Sequence, residues 1–126
     1  ANASSAMAGA PAPEVQLISG GAAIVNSEAL VTRTEAVLKD AFGEANAQRM
    51  PAMTASEDFS QYVNQGVPSM FFFTGVYDPK MVEEAGREGG KPIAFNHSPF
   101  YAPVPEPSIK TAAQAMSMAV LNVLGR

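Results

Sequence analysis

Val67 to Val76 is the stretch that most constrains the fold. It holds Met70-Phe71-Phe72-Phe73 in succession and carries no charged side chain. Successive residues of an extended chain point to opposite faces, so a run this apolar asks for burial on both. The pattern predicts a strand in the middle of a sheet, with helices covering both sides.

Helical patterns lie on either side of it. From Glu28 to Phe42, the residues Leu30, Thr34, Val37, Leu38 and Phe42 recur at the spacing of one helix face. Asn26 or Ser27 can cap that helix, Glu35 and Lys39 form an i,i+4 pair, and Gly43 supplies the stop. Thr54-x-x-Glu57 matches a capping box, which predicts a short helix burying Phe59, Tyr62 and Val63 and ending at Gly66. Residues 77 to 96 read as a loop with one helical turn at Lys80 to Ala85; a connection this long usually serves a site. Pro103, Pro105 and Pro107 then lead into a final helix with a broad apolar face from Ile109 to Leu124, stopped by Gly125. Upstream, residues 1 to 13 read as flexible, with the character of a fraying helix end. Val15, Leu17 and Ile18 suggest a short strand before Gly20-Gly21. The pattern as a whole is α/β.

At 126 residues there is room for one core, and 47% hydrophobic content argues against disorder. A net charge of −4, with no cluster of lysine or arginine, argues against a nucleic-acid or anionic-membrane partner. No apolar run approaches the roughly 20 residues of a membrane span. The small, polar start lacks the basic and apolar regions of a signal peptide, and the absence of an initial Met suggests a processed or truncated chain.

Chemistry concentrates at Ala94-Phe95-Asn96-His97-Ser98-Pro99-Phe100-Tyr101, which holds the one histidine. A lone histidine can be a packed or surface residue. Its place beyond an apolar strand and a long loop, where α/β sheets put their sites, raises the reading of a metal ligand. Pro99, Phe95 and Phe100 are expected to make its surroundings rigid. Glu57 and Asp58 have an ordinary reading as first-turn acids that complement a helix dipole, and Asn26 as a cap. A catalytic zinc needs about three protein ligands, and a general base besides. With one His and no Cys, the chain is not expected to build a two-metal site alone.

Three motifs in order, Met53-Thr54-Ala55-Ser56-Glu57-Asp58-Phe59-Ser60, Val67 to Gly75, and Asn96-His97-Ser98-Pro99, resemble the C-terminal part of the aminoacylase/hippurate hydrolase amidohydrolases. These are co-catalytic zinc-type metallopeptidases that include the indoleacetyl-amino-acid hydrolases. The resemblance covers about residues 14 to 126. It implies part of a three-layer, zinc-exopeptidase-like catalytic domain with helices packed on a mostly parallel sheet. Residues 1 to 26 would be a flexible N-terminus and the last segment of a lid or dimerisation domain, and residues 27 to 126 the C-terminal half of the catalytic domain.

His97 matches the family's last metal ligand. Glu57 and Asp58 match its Ser-Glu-Asp-Phe motif close to the metals, with Asn96 and Gly75 near the pocket. Asn26 resembles the lid-junction asparagine that helps to hold a substrate carboxylate. The implied cofactors are two divalent ions, zinc first and manganese, cobalt or nickel as alternatives. The implied reaction is cleavage of the amide of N-acyl amino acids or small peptides, with the general base upstream and this chain inactive alone. A homodimer is expected, with strand exchange as one route. The competing readings are a non-catalytic dimerisation or peptide-binding module and a subunit of a split enzyme.

Overall fold

The computed structural model describes residues 1–16 and 21–125. Among these residues there are five helices: α1 (Asn2–Met7), α2 (Glu28–Phe42), α3 (Ser60–Asn64), α4 (Pro79–Ala85) and α5 (Pro105–Leu124). The connections between them are extended or turn-like, and no residue among those described belongs to a β-ladder. The expected α/β architecture, with helices on a mostly parallel sheet, is therefore corrected to a helical one. Of the expected strand at Val15, Leu17 and Ile18, the last two residues lie outside the described residues.

The physical reason lies in residues 67–76. The backbone there is extended, but a strand becomes a sheet only when a neighbouring main chain takes up its N–H and C=O groups. Here the neighbours are different. The Ser27 N–H donates to the Ser69 carbonyl at 2.8 Å. The Asn26 side-chain amide then takes both groups of Phe71, donating from Nδ2 to its carbonyl at 2.9 Å and accepting its N–H at Oδ1 at 2.8 Å. One asparagine thus imitates a rung of a β-ladder, and no second strand follows among the described residues.

The two long helices form where the periodicity places them. α2 packs against α5, and their crossing is made of small side chains: Thr34 is 2% exposed and Ala115 4%. The Arg33 guanidinium donates across the pair to the Asn122 carbonyl near the end of α5. On α2 the Glu35–Lys39 pair is present at 2.9 Å. Gly43 ends the helix at φ 90°, a conformation that costs a glycine little.

α3 begins later than the capping-box match implies. Phe59 occupies its N-cap position, with no side-chain cap bond, and the Glu57 and Asp58 carbonyls accept from the Ser60 and Gln61 N–H groups instead. Its end is as expected. Gly66, at φ 75°, closes a Schellman turn in which the Val67 N–H reaches back to the Tyr62 carbonyl. α4 is longer than the single turn expected, because Asp78 caps it by accepting from the Lys80 N–H at 2.8 Å and Pro79 fits its first turn.

The core is small. Ala115 is the one buried apolar residue among those described, while Ile109, Leu121 and Leu124 on α5 stay 68%, 67% and 72% exposed. The chain exposes 10260 Å², whereas a self-contained monomer of its mass exposes about 6,400 Å². The excess, about 3,900 Å², is surface that a self-contained domain of this length would bury.

Candidate functional site

His97 sits in the loop between α4 and α5, at the third position of a turn closed by the Ser98 N–H on the Phe95 carbonyl at 3.2 Å. Its φ is 70°, and it is the one non-glycine residue with positive φ among those described. Left-handed backbone costs a side-chain-bearing residue roughly 1–2 kcal/mol. The residue is exposed and its ring makes no hydrogen bond among the described residues, so no hydrogen bond of the imidazole offsets that cost. Ser98 continues the turn, its Oγ accepting from the Phe100 N–H at 3.2 Å and its carbonyl from the Tyr101 N–H at 3.1 Å.

What holds the loop is Tyr77, which reading the sequence did not single out. Its hydroxyl donates to the Ala94 carbonyl and accepts from the Ala102 N–H at 3.4 Å, which ties the two ends of the histidine loop to one oxygen. Its ring meets Tyr101 edge-on, with centroids 5.9 Å apart. Phe95 and Phe100, expected to lend rigidity, are instead 78% and 82% exposed. The only sign of the Tyr77 role in the sequence was its place at the end of the apolar stretch. A cavity of about 660 Å³ lies beside the loop, walled by Tyr77, Met81, Glu84, Lys91 and Phe100.

The other residues singled out from the sequence do not converge on it. Glu57 and Asp58 are exposed on the approach to α3, and neither lines this cavity. Asn96 is exposed in the same turn as His97. Gly75 faces open space, with nothing within 4 Å of where a Cβ would stand, and does not line this cavity. Asn26 has both ends of its amide engaged by Phe71, so it is committed to the backbone rather than turned toward a ligand. A second, apolar groove of about 400 Å³ runs between α2, α3 and α5, lined by Leu30, Tyr62, Met70, Phe72, Met116 and Val120 among others.

Electrostatics are strongest elsewhere. Arg49 reaches back to α2, donating from Nε to Glu35 at 2.8 Å and from Nη1 to Glu28 at 2.9 Å, while Lys39 also pairs with Glu44 at 3.0 Å. Hydrogen bonds from Arg49, then from Lys39, hold the Glu35 carboxyl below its usual value. Glu35 and then Glu44 raise Lys39, and Glu35 and then Glu28 raise Arg49.

No group of three or more His, Asp or Glu side chains capable of holding a metal comes together among the described residues. No described helix is long and apolar enough to cross a membrane. Comparison with protein-family models, with curated proteins and with solved structures finds no match.

Proposed function

We propose that this chain is the C-terminal portion of a metal-dependent amidohydrolase acting on N-acyl amino acids or small peptides. His97 serves as one metal donor, and the remaining donors and the general base come from residues outside the chain. The observation that carries the reading is the strained backbone at His97. Left-handed non-glycine residues cluster at sites where the surroundings impose them for function, and here the strain falls on the one imidazole, held outward on a loop clasped by Tyr77. The chain alone is expected to leave N-acetyl and N-benzoyl amino acids intact; their turnover by the purified chain contradicts the proposal. The upstream coding sequence is the second test. A His-x-Asp or Cys-x-His pattern and a Glu-Glu pair in the same reading frame support one enzyme, and the same motifs in a separate frame support a split one.

The exposed apolar faces of α5 favour one further reading, a non-catalytic dimerisation or peptide-binding module, which predicts that the upstream sequence lacks those motifs. In either case the exposed surface supports self-association of the isolated chain, as a homodimer or a higher species.

A further inference from the structure

The extended stretch at Met70 to Thr74 has two edges, and they are in different states. In extended backbone the N–H and C=O of one residue point to the same side, and those of the next residue to the other. The Ser69 carbonyl and both groups of Phe71 are taken by Ser27 and Asn26, so that edge is in use. The N–H and C=O groups of Met70, Phe72 and Thr74 belong to the opposite edge, and none of them has a hydrogen-bond partner among the described residues. Among the described residues that edge is closed only at its far end, where the Val104 N–H and the Ser108 hydroxyl donate to the Val76 carbonyl at 2.8 and 3.2 Å. The side chains alternate accordingly. Met70 and Phe72 line the apolar groove, while the Phe71 ring meets Phe59 at a tilt and Phe73 edge-on, with centroids 5.5 and 5.3 Å apart.

We infer that this edge is where a second copy of the chain docks, pairing antiparallel through residues 70–74 about a two-fold axis at Phe72. The inference deepens the self-association put forward above by naming its surface. Three observations select a second copy. First, the edge is self-complementary: with Phe72 opposite Phe72 of the second copy, Met70 falls opposite Thr74 of the second copy, and every open group meets an open group. An isologous contact requires that symmetry. Secondly, no charge lies between Val67 and Tyr77, so nothing on the edge repels its own copy in the way natural edge strands are protected. The two Phe72 rings would lie side by side on the groove face, an aromatic cross-strand pair. Thirdly, a stable dimer needs about 800 Å² from each partner. The excess exposed surface of this chain is several times that.

The test is light scattering of the purified chain together with amide hydrogen exchange read residue by residue. The expected result is a dimer whose Phe72 and Thr74 amides exchange at least tenfold more slowly than after dilution to monomer, with Phe73 unaffected. Phe72→Pro, which removes an N–H from the open edge, is expected to give a monomer, and Phe73→Pro to leave the dimer in place. Helix content by circular dichroism shows whether each variant is folded, and exchange in the unsubstituted chain decides if one is not. A dimer that survives in a folded Phe72→Pro variant, or that protects Phe72 and Phe73 alike, overturns the edge assignment while leaving self-association standing. A monomer at every concentration overturns both. So does a monomer whose edge is protected only by an added extended peptide.

Discussion

At His97 the chain accepts a backbone conformation that glycine would take at little cost. His97→Gly is expected to be more stable than His97→Ala by about 1 kcal/mol in urea unfolding, because only the glycine relieves the left-handed strain. An alanine variant as stable as the glycine one would show that the residue is not strained. Tyr77 is the second residue on which the site turns. Tyr77→Phe keeps the ring against Tyr101 but loses the hydroxyl that joins Ala94 to Ala102, and is expected to cost about 1 kcal/mol and to speed exchange of the Ala102 amide. At Asn26, substitution by Asp removes the donor facing the Phe71 carbonyl and sets a carboxylate in its place. We expect it to destabilise the chain more than Asn26→Ala does.

Single residues also show why part of the site escaped the sequence. The histidine was legible because there is one, and the loop leading to it because residues 77 to 96 are rich in Gly, Pro and charge. Its strain and its clasp were not, since a positive φ leaves no mark on a non-glycine residue and the Tyr77 hydroxyl acts over a distance of 17 residues to Ala94. Glu57, Asp58 and Gly75 carried a motif but no geometry, and they stand apart from the cavity beside the loop.

At the scale of elements, α2 and α5 were readable because an apolar stripe and a terminal glycine are local signals. The sheet was not there to be read: an apolar run states that burial is wanted, and not which main chain will supply the hydrogen bonds. Local rules also competed with one another. Thr54-x-x-Glu57 has the right letters for a capping box, yet α3 starts at Ser60, while Asp78-Pro79, which went unremarked, caps α4. The clasp of Arg49 on α2 was invisible for a further reason, because it joins Glu28 and Glu35 to a residue beyond the helix.

That clasp gives a pH dependence of known sign. Glu35 titrates below its ordinary 4.5 when folded, so its stabilising contribution is present above that value and is lost as pH falls through the lowered one. Lys39 titrates above its ordinary 10.5, so its share holds below that value and is lost as pH rises through the raised one. The expected outcome is an acid limb in α2 helicity that Glu35→Gln largely removes. Both side chains are half-buried at the surface, where solvent still screens the pair, so the effect is small. An acid limb unchanged by Glu35→Gln would assign it to other carboxylates.

For the whole molecule the governing fact is the mismatch between surface and core. Relative to an unfolded chain of this mass, the folded chain buries about 8,900 Å², against about 12,700 Å² for a self-contained domain. The urea dependence of unfolding scales with that area. Under conditions where the chain is monomeric, its slope is therefore expected to be about 0.7 of that typical for domains of its length. A full-sized slope would mean that the chain closes on itself more completely than its exposed helix faces indicate.

Metal content, read by native mass spectrometry, tests the functional account most directly. The comparison is between the protein encoded by the upstream sequence joined to this chain and its His97→Ala variant. The expected result is a pair of divalent ions in the first and the loss of at least one from the second, with the variant's helix content unchanged. An unaltered metal complement in a folded variant, or no metal in either protein, would contradict it.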